Sequence, residues 1–229
     1  MKKLFKEDSG FTLLEVLISM TILSVVVIGM MSFFQNSFSY VKENESKTVA
    51  TQVARNVMNY VEKQDFSKME GYLMHESTTN PNSPYLVEIG SDHCTDKVTI
   101  LTKSPSSSDL SSIDNVPLFD DSSRCLSILI PLINNITYED DRKVSIFVTK
   151  YNKHEDILEL QELFSKNDPT LAHVPESVRN YFLNYDTNTL SEPSDYTKEN
   201  LLRVFVILNW NEDREDIVIQ GVLSHETIR

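Results

Sequence analysis

The chain has 229 residues, room for one ordinary domain plus a membrane segment, and a formal net charge of −13 at pH 7. Beyond Gly10, without Lys2, Lys3, Lys6, Glu7 and Asp8, the charge is −14; such an acidic surface repels phosphate and excludes broad, sequence-independent nucleic-acid binding. The glycines, at Gly10, Gly29, Gly71, Gly90 and Gly221, form no phosphate-cradling loop of the dinucleotide or P-loop kind, so nucleotide chemistry is not expected.

The first element in chain order is an apolar run, FTLLEVLISMTILSVVVIGMMSFF from Phe11 to Phe34. As a helix rising about 1.5 Å per residue it is long enough to cross a hydrocarbon core of roughly 30 Å. Lys2, Lys3 and Lys6 precede it and Lys42 alone closely follows, so the positive-inside bias predicts a cytoplasmic N-terminus and an exported remainder. The run is longer than a secretory signal core, and no small-residue cleavage pattern occurs near Ser32 to Tyr40, so the helix is expected to be retained in the membrane. Glu15 sits inside it, where an ionised carboxylate is costly unless paired, neutralised or near the interface. A cut after Gly10 would create an α-amino group on Phe11, at the same helix end as Glu15, and make pairing between neighbouring subunits possible.

Gly10-Phe11-Thr12-Leu13-Leu14-Glu15, after a short basic leader and before an uninterrupted apolar helix, resembles the N-terminal cleavage and methylation motif of type IV prepilins and type II secretion pseudopilins. The resemblance covers roughly the first forty residues. It implies a prepilin peptidase that cuts after Gly10 and methylates the new amine of Phe11, with Glu15 docking an incoming subunit. It also implies as partners other pilins or pseudopilins and a pilus or secretion assembly platform in the cytoplasmic (inner) membrane. The domains expected are a leader at 1–10, a transmembrane helix at 11–34, its amphipathic extension at 35–65, and an extracytoplasmic domain at 66–229. The apolar helix lacks the proline of many major pilins, and the chain is longer and poorer in Gly and Ala than most of them, which tilts the reading toward a minor pilin or pseudopilin. The family covers type IV pili, type II secretion and competence machinery, and the sequence does not choose among them. The competing class is an exported single-pass enzyme or receptor on a prepilin-type anchor. No catalytic residue, metal or cofactor is assigned.

Past the membrane, Val49, Val53, Val57, Tyr60 and Val61 recur at helical spacing and predict that the helix continues to about Gln64 with an apolar stripe. Glu76–Pro84 and Ser104–Ser123 are rich in Ser, Asn, Pro and Asp and read as loops. Leu86–Ile89, Val98–Thr102, Leu126–Leu132, Ile136–Tyr138 and Val144–Thr149 are apolar, largely β-branched runs expected as strands. Residues 139–143 read as a hairpin connection, as do Asn211–Asp216 between Leu201–Trp210 and Ile217–Leu223. The fold class expected is α+β and pilin-like: a long N-terminal helix packed on an antiparallel sheet, with an inserted, partly helical excursion at about 151–200. The last two strands also resemble the closing strands of minor pilins of the pilus-modification kind, and Trp210 is expected to pack on the sheet or the long helix.

Cys94 and Cys125 both fall in the exported part; the spacing leaves open a disulfide, contributing roughly 3 to 4 kcal/mol by the chain-entropy argument, or two buried thiols. His154-Glu155-Asp156 begins like a zinc helix, but no second histidine follows one turn later. His93 beside Cys94, with Cys125, lacks an orienting third group for nucleophilic chemistry. Asp109, Asp114, Asp120 and Asp121 offer oxygen ligands of the kind calcium takes but match no calcium loop, so a solvated acidic loop is expected. Asn44-Glu45-Ser46 and Asn135-Ile136-Thr137 fit the glycosylation pattern and are discounted as chance matches.

Overall fold

The computed structural model describes residues 12–79, 85–103, 110–133, 136–137, 144–187, 193–209 and 216–225. The chain forms two units, Met1–Thr48 and Val49–Arg229. Helix α1, Leu13–Val61, runs through the boundary as one element of 49 residues.

In the first unit the apolar side chains of α1 are bare, with Leu13 83 % and Val25 71 % exposed. Such a surface is costly in water and neutral in lipid. The helix is long and apolar enough to cross a membrane, and it fits a single-pass anchor.

In the second unit the expected stripe turns inward: Val53, Val57 and Val61, with Ala50 and Ala54, are buried. They face a four-stranded antiparallel sheet in the order β1-β6-β7-β8, with β1 Leu86–Ile89, β6 Val144–Lys150, β7 Leu201–Leu208 and β8 Ile217–Ser224. Ile89, Ile146, Val148, Val204, Val206 and Leu223 join the α1 stripe in one core. A second core lies on Leu86, Phe147, Phe205 and Ile207 of the sheet, which meet α4 (His154–Ser165) and α5 (Glu176–Leu183) through Ile157, Leu160, Phe164, Val178 and Phe182. The helical insertion therefore covers the back of the sheet. Burial on both faces explains why Ile146–Val148 and Val204–Leu208 read as continuous apolar runs rather than alternating ones.

Three expectations are corrected here. Leu126–Leu132 is not a strand: Asp121 accepts a hydrogen bond from the Arg124 backbone N–H at 2.9 Å and caps helix α3, Ser122–Leu129, whose Cys125 and Leu129 point inward one turn apart. Leu132–Ile133 forms only a two-residue strand, β4, paired with β5, Ile136–Thr137. Parts of both loop regions form regular structure that their composition does not suggest. Helix α2, Phe66–Thr79, runs into the first of them, burying Phe66, Met69, Tyr72 and Leu73. Polar strand β3, Leu110–Pro117, lies inside the second and pairs with β2, Lys97–Lys103. Finally, residues 138–143 lie outside the described residues, and among the described residues β5 pairs with β4 and not with β6, so the expected hairpin between them is not seen there. Strand β6 has β1 beside Ile146–Thr149 on one edge and β7 along the other. The β7–β8 hairpin forms as expected, Leu201 opposite Ser224 through Leu208 opposite Ile217, while Trp210 and its turn lie outside the described residues.

The long helix ends at Val61, three residues short of Gln64. Backbone bonds from Lys63 to Tyr60 and from Gln64 to Val61 tighten its last turn. The Asp65 carboxylate then accepts from the Ser67 N–H at 2.8 Å and starts α2. The short α6, Asp195–Asn200, leads directly into β7.

Candidate functional site

The site the sequence points to is the N-terminal end of α1. Gly10 and Phe11, the expected cleavage and methylation positions, lie outside the described residues. Immediately after them Thr12 and Glu15 form a reciprocal cap. The Thr12 N–H and hydroxyl donate to Glu15 Oε2 at 2.9 and 3.0 Å, and the Glu15 N–H donates to Thr12 Oγ1 at 3.3 Å. This is the Ser/Thr-x-x-Glu capping box, which satisfies backbone donors that the first turn leaves open. The threonine and glutamate of the motif thus have a helix-starting role beyond any role between subunits. Leu13, Leu14, Val16 and Leu17 around them are exposed apolar groups, so the carboxylate is a single charged group on a lipophilic surface.

The remaining residues singled out in the sequence have separate places in the second unit. Cys94 and Cys125 form a disulfide with Cα atoms 5.5 Å apart. It ties the short turn Ser91–Cys94 to α3, and both residues belong to the core under α1. With both sulfurs in that bond, neither is a nucleophile or a metal ligand. His93 turns to other partners, its Nε2 lying 2.9 Å from the Tyr72 hydroxyl and its Nδ1 2.9 Å from Asp92 Oδ1. Burial pushes the Tyr72 phenol well above the ordinary tyrosine range, and Glu76 and Asp92 push it further. A phenol held protonated in this way serves as a packed hydrogen-bonding group rather than a base. Burial would also raise Asp92, but the His93 charge and hydrogen bond outweigh it and hold the carboxyl below its usual range.

The acidic loop residues are employed one by one. Asp114 accepts from Thr99 Oγ1 at 2.8 Å, Asp120 pairs with Lys68 at 2.6 Å, and Asp121 caps α3; Asp109 and Asn135 lie outside the described residues. Among the described residues no three potential ligands gather around a metal position. His154 opens α4 and packs edge-on against Tyr185. Two features had no sequence signal: Tyr151 and Tyr181 against the Arg203 guanidinium, at 4.7 and 5.2 Å from the ring centres, and a cavity whose lining includes Asp156. Each joins residues far apart in the chain.

A capped apolar helix that fits a single membrane crossing, followed by an antiparallel sheet packed on its last turns, defines a membrane-anchored protein of pilin-like α+β architecture. Residues 6–31 match the family described as the prokaryotic N-terminal methylation motif. The chain is accordingly similar to type IV prepilins and pseudopilins, a class whose motif implies processing by prepilin peptidase and assembly with other pilins. No curated protein and no solved structure matches the chain.

Proposed function

We propose that the chain is a minor pilin or pseudopilin, cut after Gly10, methylated on the Phe11 amine, and assembled into a type IV pilus-like filament through Glu15. The observation that carries this reading is the methylation motif at residues 6–31, which runs into a helix whose apolar, membrane-length stretch is exposed. In this reading Lys2, Lys3 and Lys6 hold the leader in the cytoplasm and the second unit faces outward. The protein works as a structural, assembly or tip subunit rather than as an enzyme. The disulfide suits export to an oxidising compartment. The filament would present the 151–200 insertion, the part of the chain least constrained by the pilin pattern, to other subunits or partners.

Intact-mass and N-terminal peptide spectrometry of protein from a host with an active prepilin peptidase tests the processing step. The expected product begins at N-methylated Phe11, and a bulky residue in place of Gly10 leaves the leader attached. Retention of residues 1–10 in the wild type overturns the reading.

A further inference from the structure

The four-stranded sheet ends on β1 at one side and on β8 at the other, and the two-stranded β2–β3 ribbon has edges of its own. In an antiparallel strand, alternate residues turn their backbone N–H and C=O to the same side. Strand β8 uses one such set to pair with β7, from Leu201 opposite Ser224 to Leu208 opposite Ile217 without a break. Among the described residues no strand meets the other set. An open row of this kind is a template for pairing with another chain, and proteins ordinarily blunt it with short length, charge, proline or a bulge.

The other edges carry these devices. Strand β1 is four residues long, holds Glu88, and follows Tyr85 at φ 68°. Strand β2 begins on Lys97 and ends on Lys103, and its register with β3 shifts between Val98 and Ile100. Strand β3 holds Asp114, has Asn115 at φ 61°, and ends on Pro117. Strand β8 has none of them: its eight residues, Ile217–Ser224, include no charge and no proline, and they pair without a bulge. Its apolar side chains are also incompletely covered on both faces of the sheet. Ile217 and Ile219 are only partly buried against the α1 core, Val218 only partly against the second core, and Val222 is 36 % exposed. A ligand for this edge must bring main chain along its length and apolar groups on both sides, and one further strand brings both.

We infer that the outer edge of β8 is a strand-addition site for an extended, uncharged, β-branched segment of another protein. The backbone of that segment continues the sheet as a fifth strand. Its alternate side chains cover Ile217 and Ile219 on one face and Val218 and Val222 on the other. A second copy of this chain is disfavoured as the occupant, because each copy carries a net charge of −13 and like-charged molecules repel. The inference does not depend on the filament reading, since it concerns only the second unit.

The test uses full-length protein in lipid nanodiscs and a fluorescently labelled, end-capped heptapeptide of alternating threonine and valine, with empty nanodiscs as the blank. A saturable rise in anisotropy is expected, together with slowed amide hydrogen exchange in residues 217–224 and none in 86–89 or 110–117. The same peptide N-methylated on two adjacent central amides keeps its side chains but loses a donor on each of its edges, and it should bind about tenfold more weakly or worse. Gln220 is exposed, so Gln220→Lys sets a charge in the middle of the edge without entering either core. That variant should weaken binding by about the same factor, and Gln220→Thr should bind as the wild type does. Absence of saturable binding at millimolar peptide, equal binding of the methylated peptide, or protection at β1 or β3 in place of β8 overturns the proposal. Sedimentation in detergent checks the occupant: a wild-type chain that is dimeric without peptide and monomeric as Gln220→Lys overturns the choice of a foreign segment, because a second copy then fills the edge.

Discussion

Burying Asp156 at the start of α4 places a carboxylate where water cannot solvate it and only one of its oxygens is met. Burial pushes its carboxyl above the ordinary aspartate range, and the hydrogen bond and charge of Lys153 offset only part of that. Lys153 responds in the opposite sense: burial would lower it, but Asp156 outweighs the burial and holds the ammonium above its usual range. For a carboxyl whose folded value is raised, the folded chain binds the proton more tightly than the unfolded one. Stability is then greatest below the ordinary aspartate value and falls as pH rises up through the raised folded value. Thermal unfolding of the second unit, followed by near-ultraviolet circular dichroism on the full chain, should show wild type losing stability relative to Asp156→Asn across that acid window. A difference that is flat in pH, or that grows in favour of wild type as pH rises, contradicts this account.

At the scale of elements, two glycines mark where a helix and a strand approach too closely for a side chain, with different consequences. Gly71 lies in the middle of α2, where alanine would favour the helix by about 1 kcal/mol. A β-carbon there would come within 2.6 Å of the Leu101 backbone oxygen on β2 and 3.1 Å of Ile100 Cβ. A strand carbonyl cannot turn aside. Gly71→Ala is therefore expected to destabilise the protein by about 1–3 kcal/mol in spite of its better propensity, the overpacking penalty exceeding the propensity gain. Gly221 on β8 faces the side-chain ends of Met58 on α1 and of Glu62 just past its end, which can rotate away, so Gly221→Ala should cost clearly less. Denaturant midpoints of the two variants decide it. If Gly71→Ala is as stable as wild type, α2 does not sit on β2 as closely as described.

For the whole molecule, the proposed function requires one chain to be held in a membrane and then released into an assembly. The exposed apolar surface of α1 accounts for the first, and Glu15 is the one charged side chain in that surface between Leu13 and Phe34. Its Oε2 is engaged by Thr12 within the same helix, so intersubunit pairing with a Phe11 amine must share the carboxylate with the cap or displace it. An attraction of roughly 4 kcal/mol between unit charges 4 Å apart at an effective dielectric near 20 is large enough to do so. Glu15→Leu should leave membrane level and leader removal near wild type, because an apolar side chain inserts more easily. It should also reduce recovery in sheared filaments several-fold. Glu15→Gln, which keeps most of the cap without the charge, should behave like Glu15→Leu if charge is what matters and like wild type if capping is. Immunoblotting of membrane and filament fractions from each strain reads both steps, and wild-type recovery of Glu15→Leu in filaments removes Glu15 as the docking group.

What the amino-acid sequence determined by itself is the part governed by local chemistry. The motif at Gly10–Glu15, the apolar span behind it, the 3.6-residue stripe from Val49 to Val61, and the β7–β8 hairpin depend on neighbours a few residues away. Such patterns survive without a fold. Where the reading failed, distant residues decided the outcome. The run Leu126–Leu132 has strand-like composition, yet most of it became α3 because Asp121 caps the backbone and Cys125 is tied to Cys94. Leu110–Pro117 looks like a loop because β3 is exposed and has no alternating pattern to show; only its pairing with β2 makes it a strand. The burial of Asp156 and the gathering of Lys103, Lys150 and Lys198 around one cavity bring together residues from strands and helices across the domain. No spacing along the chain encodes that meeting, because it exists only once the sheet is covered on both faces and α2, α4 and α6 are brought together at one edge of the cavity.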